Sequence, residues 1–234
     1  MRDFIILNGK NSTTLNGLII SNLPPITKPS IRTNIETIDG RDGDIITKLG
    51  YSAYDKEFEI GLSYNYNLDD IITYFNSEGI VTFSNEIDKY YLYTIVDAID
   101  FEKLIRFKTA KVKMHIQPFK YSTVETIKSF DITNETSITI RNNGNYVSRP
   151  IIKITGSGTI NLSLNDHQIF VLELGEGMTM TIDTNLMSAY NEIALLNRLV
   201  IGDYDKFMLN IGPNIISWSG TITKIELQNY SRWI

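Results

Sequence analysis

The chain has no cysteine. That excludes disulfides, thiolate nucleophiles and cysteine-held zinc. Histidine occurs only twice, as His115 and His167, a thin supply for a metal centre that needs several convergent ligands. Positive charge is neither in excess nor clustered. The formal net charge is −5, and no Lys/Arg run supplies the cationic surface with which a nucleic-acid binder displaces counterions. The densest basic segment, residues 103–113, is interleaved with apolar residues and reads as the solvated face of a strand. No apolar run is long enough to cross a bilayer as a helix. The run from Phe4 to Leu7 is too short for a signal peptide, so the expectation is a protein made in a cytoplasm and not exported by the usual route.

What is present is enough hydrophobic material for a core: 42% of 234 residues, with 21% charged, the size of one large or two ordinary domains. The most regular stretch is 142–183. It opens on the turn-forming Asn142-Asn143-Gly144-Asn145 and passes through Arg149-Pro150 into Ile151-Ile152-Lys153-Ile154. It breaks at Gly156-Ser157-Gly158, and then Ile160, Leu162 and Leu164 alternate with polar residues. Asn165-Asp166 and Gly175-Glu176-Gly177 read as further turns, with Phe170, Leu172 and Leu174, then Met178, Met180 and Ile182, alternating between and beyond them. Short strands of about five residues, punctuated by Gly and Asn, predict an antiparallel sandwich or barrel.

The first half is also β-rich. Asn8-Gly9 is a strong turn, Pro24-Pro25 forces an extended segment, and residues 31–46 around Asp39-Gly40-Arg41-Asp42-Gly43-Asp44 predict a hairpin. From Lys56 on, Phe58, Ile60 and Leu62 alternate with Glu57, Glu59 and Ser63. Asn67 is an N-cap for one helix of about ten residues, carried by Leu68, Ile71, Ile72 and Phe75 and stopped by Gly79. A strand over 111–117 ends at Pro118, and the interval from Pro118 to Thr133 is the best boundary. The expected domains are 1–125 and 126–234. Late in the chain, 188–196 suggests a helical turn or two, Gly212-Pro213-Asn214 a turn, and 215–219 and 221–228 the closing strands.

No catalytic, cofactor-binding or metal site emerges. His115 falls on the polar side of its strand and His167 in a turn. Gly156-Ser157-Gly158 precedes a strand, whereas a phosphate cradle needs a helix N-terminus after it. Residues 39–50 fail the calcium-loop pattern, with Arg41 and Gly50 at ligand positions. Trp218 and Trp233, with the thirteen tyrosines, leave open a carbohydrate-stacking surface, Trp218 being the candidate singled out, set against the commoner use of aromatics in cores and interfaces.

The second half resembles the distal tail proteins of long-tailed bacteriophages. The carrying residues are Asn143-Gly144-Asn145 followed by Pro150 to Ile154 and Gly156-Ser157-Gly158, then Ile182-Asp183 and Gly202-Asp203-Tyr204. After these come Leu209 through Gly212-Pro213-Asn214-Ile215-Ile216, Ser219-Gly220 and the closing Arg232-Trp233. In the first half Asp42-Gly43 and Gln117-Pro118-Phe119-Lys120-Tyr121 resemble the family's ring-domain turn and the end of its last strand. The resemblance implies a mainly β, two-domain structural protein of the virion that is not an enzyme and needs no cofactor. Its N-terminal β-sandwich-like domain with one helix would close into a hexameric ring at the far end of the tail. Its C-terminal galectin-like sandwich would project outward. The implied partners are copies of itself, the tail tube protein, and tail-tip, lysin or receptor-binding proteins, with no nucleic acid and no membrane insertion. The chain is short for the family, leaving no room for an inserted carbohydrate-binding module. The alternative reading is a carbohydrate-binding module for host-surface glycans.

Overall fold

The computed structural model describes residues 3–234. Met1 and Arg2, where the 1–125 domain and the signal-peptide reading begin, lie outside the described residues. The chain divides into two compact units, the first running to Thr123 and the second from Val124 to Trp233. Each is built mainly of antiparallel strands.

The first unit contains β1 (Ile5–Leu7), β2 (Lys10–Asn11), β3 (Leu18–Ile20), β4 (Ile31–Thr37), β5 (Asp44–Tyr51), β6 (Tyr54–Leu62), α1 (Leu68–Tyr74), β7 (Glu78–Phe83), β8 (Lys89–Thr94), α2 (Phe101–Phe107) and β9 (Thr109–Ser122). Its sheet runs β2-β1-β7-β8-β9-β6-β3, while β4 and β5 form a hairpin of their own. The core collects the inward positions of the sheet with one face of each helix: Ile5, Phe58, Ile60, Ile71, Phe83, Leu104 and Met114 are all buried. Asn67 caps α1 as expected, its side chain accepting from the backbone N–H of Asp69 and Asp70.

Three expectations for this unit are corrected. The helix α1 has seven residues and ends at Phe75. Gly79 lies in β7 with φ +145, where a Cβ would stand 1.9 Å from the Asn8 side chain; that side chain accepts from Ile80 N–H at 2.8 Å. A glycine was required by a tertiary contact, not by a helix stop. A second helix, α2, occupies the start of the basic segment read as strand. Asp100 accepts from Lys103 N–H at 2.7 Å as its N-cap, and Lys108 leaves it in the left-handed region. Nor does Pro118 end its strand: β9 continues to Ser122, and its pairing with β8 shifts register between Tyr91 and Tyr93. A bulge there accommodates the residue that has no N–H to donate.

The second unit contains β10 (Lys128–Asp131), β11 (Ser137–Asn142), β12 (Ile151–Leu164), β13 (His167–Asp183), β14 (Ser188–Tyr190), β15 (Val200–Gly202) and β16 (Gly212–Gln228). Its sheet runs β10-β16-β12-β13-β14, with β11 also on β16 and β15 also on β13. One core takes apolar residues from both ends of the long strands, among them Ile152, Ile154, Leu162, Leu172, Ile216 and Ile225. Asn165-Asp166 is the hairpin turn expected, both residues having positive φ.

The strands are not short, and two of the expected turns are bulges. Gly156-Ser157-Gly158 lies inside the 14-residue β12 and Gly175-Glu176-Gly177 inside the 17-residue β13. The β12–β13 register shifts at that level, and so does β12–β16 beside Ser219-Gly220. Three adjacent strands therefore kink together, which lets one sheet curl over a single core. Backbones approach closely at the kink. A Cβ on Gly156 would lie 2.3 Å from Thr221 O, and one on Gly220 2.4 Å from Thr159 O. Gly212-Pro213-Asn214 likewise begins the 17-residue β16, and 188–196 holds β14 with no helix.

Candidate functional site

The hairpin β4–β5 is the part of the molecule whose chemistry is left unfinished. Alternating β-branched residues and the Gly40 and Gly43 turn, both at positive φ, form the two strands locally. Every residue of β4 is exposed. Among the described residues neither strand pairs with any other strand, so both are edge strands. Ile35 and Ile46 face each other across the pair and are 57% and 61% exposed; Leu49 is 58% exposed. A two-stranded hairpin with no core beneath it is at best marginal in water. The body of the same unit also shows apolar side chains: Ile80 opposite Leu92 on β7–β8, with Val96 and Phe107, are all exposed.

The root of the hairpin is well tied. Ser52 N–H donates to Ser30 O at 2.9 Å, and Tyr51 packs edge-on to Phe119 with centroids 5.8 Å apart. Beneath it lies a buried polar cluster. Lys120 Nζ donates to Glu86 at 2.7 Å, and the Tyr91 hydroxyl donates to the same carboxylate. Burial, then the Glu86 carboxylate, pushes the Tyr91 phenol up. Lys56 sits beside them, and burial holds its ammonium down to about 8. The sequence carried a signal for it: Lys56 is in step with Phe58 and Ile60, on the core side of β6.

Residues considered for chemistry at the outset are scattered. His115 Nδ1 lies 2.8 Å from Asp55, next to Lys113, which pairs with Asp55 and Asp97 at 3.0 and 3.1 Å. These are exposed side chains that neutralise one another, and the hydrogen bond from His115, then that from Lys113, holds the Asp55 carboxyl below its usual range. His167 is exposed on β13. Asp39 to Asp44 form the tip of the hairpin, and no group of three His, Asp or Glu converges anywhere among the described residues. Trp218 lies in the core of the second unit, 7% exposed, and a buried indole offers no open face for a sugar ring. A cleft of about 440 Å³ lined by Lys153, Met178, Thr179, Thr181, Tyr190 and Ile193 includes a single carboxylate, Glu192, and so no acid–base pair.

The motifs that carried the resemblance are internal ties. Asn142 is buried and donates to the carbonyls of Tyr146 and Leu209 at 2.9 and 3.2 Å, while its own oxygen accepts from Gly144 N–H. Asn214 binds Asn210 at both N–H and C=O and accepts from Asn165. Arg232 bridges to Tyr146.

No protein-family model and no curated protein matches the sequence. Solved structures do match. The Dit protein (gp 19.1) of SPP1, described as a paradigm of the hub adsorption apparatus in phages that infect Gram-positive hosts, superposes with a TM-score of 0.67 at 16% identity, over 97% of this chain and 99% of that one. The chain has the fold of a phage tail hub protein. A chain of the phage P2 baseplate in its activated conformation with Ca superposes with a TM-score of 0.51 at 11% identity, over 98% of each. Because the hub fold is matched end to end in SPP1 Dit, neither unit is an addition to it.

Proposed function

We propose that this chain is a structural hub of a bacteriophage tail and not an enzyme. The first unit closes into a hexameric ring through the β4–β5 arm. The single observation that carries the reading is the arm itself: it bears Ile35 and Ile46 on one exposed face, lies outside the larger sheets and has no core. Covering it needs another surface. A neighbouring copy supplies one with its exposed Ile80, Leu92, Val96 or Phe107, and ring symmetry repeats the contact without leaving an end. Obligate interfaces of this kind bury on the order of 2,000 Å² and are apolar at the centre.

In this reading residues 1–125 form the ring domain and 126–234 an outward-projecting sandwich. The ring joins the tail tube protein to tail-tip, lysin or receptor-binding proteins, in a virion assembled from protein made in the host cytoplasm. The hub fold shared with SPP1 Dit supports it, as does the scattering of the titratable groups. The deciding experiment is mass photometry with negative-stain imaging of the purified chain, alone and with tube protein. Six-fold rings are expected; a monomer at micromolar concentration under both conditions removes the reading. A glycan-binding signal that depends on Trp218 would favour the carbohydrate-module alternative, which the burial of that ring does not support.

A further inference from the structure

Lys56 is out of place by composition. It lies between Tyr54 and Phe58 on the core side of β6 and is 3% exposed. Its Nζ donates to the Pro25 carbonyl at 2.6 Å and stands 5.2 Å from the centroid of the Tyr91 ring and 5.7 Å from that of Phe83. Glu86, whose charge reaches it, is already bound by Lys120 and Tyr91. A buried ammonium held by one carbonyl and ring faces is costly, and an apolar side chain of similar volume would fill the slot with less desolvation. The position makes physical sense through the bond to Pro25.

Pro25 belongs to the strap 21–30 that leads into β4. Pro24, Pro25 and Pro29 have no N–H, so the strap cannot join a sheet ladder through them. Its ends are fixed by backbone: Ser21 N–H donates to Glu59 O at 2.8 Å, and Ser30 O accepts from Ser52 N–H. Between those ends its carbonyls are taken by side chains that reach out of the body, Asn85 to Pro24 at 3.3 Å and Lys56 to Pro25. Of the two, only Lys56 brings a charge-assisted bond from a side chain locked in the core.

We infer that Lys56 is a positioning residue, a latch that pins the strap and so sets the direction of the β4–β5 arm before any neighbour is met. The inference rests on the arm reading above for its use in assembly, but its test does not depend on assembly. The groups facing Lys56 are Glu86, Lys120, Tyr91 and Tyr54.

The absence of cysteine makes the test direct. Dyes on Thr33→Cys in the arm and Lys103→Cys in α2 report the arm's position by single-molecule energy transfer, at picomolar dilution where copies do not meet. Lys56→Met is expected to raise the population with a detached arm about tenfold, the change that about 1.4 kcal/mol of lost bonding gives. Its body should melt no lower than the parent's, and Lys56→Arg should restore the narrow distribution. A distribution as narrow in Lys56→Met as in the parent overturns the latch. If that variant does not fold, Lys56→Leu, also apolar and unable to donate to Pro25, decides: a broader distribution than the parent's is expected, and an equal width overturns the latch. Failure to form rings, by contrast, would leave these distributions untouched.

Discussion

The backbone N–H of Ser231 donates to Glu125 Oε2 at 2.6 Å, closing the second unit across 106 residues of sequence. The same carboxylate accepts from the Ser231 hydroxyl at 2.8 Å and from Asn229 Nδ2 at 2.9 Å. Asn229 also bonds Arg141 O and accepts from Ser148, so the first and last segments of the unit are tied through buried polar groups. Each bond satisfies a group that would otherwise be desolvated and unpaired. Glu125→Ala is therefore expected to destabilise the second unit by about 2–3 kcal/mol, with Glu125→Gln losing roughly half as much. Urea unfolding followed by Trp218 fluorescence measures both; equal stability of parent and Glu125→Ala contradicts the role.

The kink in the second unit predicts a graded response to alanine. Gly158 has φ +75 and open space around its Cβ position, whereas Gly220 has φ +98 and Thr159 O at 2.4 Å. Gly158→Ala should cost about 1 kcal/mol from backbone conformation alone. Gly220→Ala must also push two strands apart and should cost about 3 kcal/mol or more. The two variants compared in one denaturant series give the order.

The arm is expected to matter for assembly and not for folding. Ile35→Asp and Ile46→Glu place charge on a surface already in water, so the monomer's stability should move by about 0.5 kcal/mol or less. Mass photometry should show ring formation lost in both. Rings that survive the double variant would show that closure uses some other surface.

Alkaline pH separates the buried lysine from the buried tyrosines. The folded value of Lys56 lies near 8 and the ordinary value is 10.5. Between them the unfolded chain holds a proton that the folded chain lacks, so stability rises with pH by up to about 3 kcal/mol. Burial raises the phenols of Tyr74, Tyr91 and Tyr93 above 10.0. Above that pH the unfolded chain sheds protons that the folded chain keeps, and stability falls. A maximum near pH 10 is expected for the first unit in denaturant titrations. Lys56→Met should abolish the rising limb and keep the falling one.

Much of the β architecture was legible because period-two alternation is a local signal: Phe58, Ile60 and Leu62 point to the core as their spacing required, and Asn67 caps α1 through its own side chain. Glycine was the ambiguous letter. A residue at positive φ serves a turn at Gly40 and a bulge at Gly158 equally well, and only the register of neighbouring strands tells the two apart. The helix α2 was hidden because its basic face ran on into the lysines of β9. That the arm has no core was hidden for a related reason. Its strand pattern is plain in the sequence, but whether a strand finds a core is decided by what lies beneath it.

By itself, then, the sequence determined a β-rich protein without thiols, since composition is read directly and alternation depends on neighbours a few residues away. Three matters were left to the tertiary structure: that Gly156, Gly175 and Gly220 bend one continuous sheet, that Trp218 is enclosed, and that Lys56 reaches Pro25. Each depends on contacts between segments far apart in the chain, where close packing and the pairing of buried polar groups choose among conformations that local preference leaves equal.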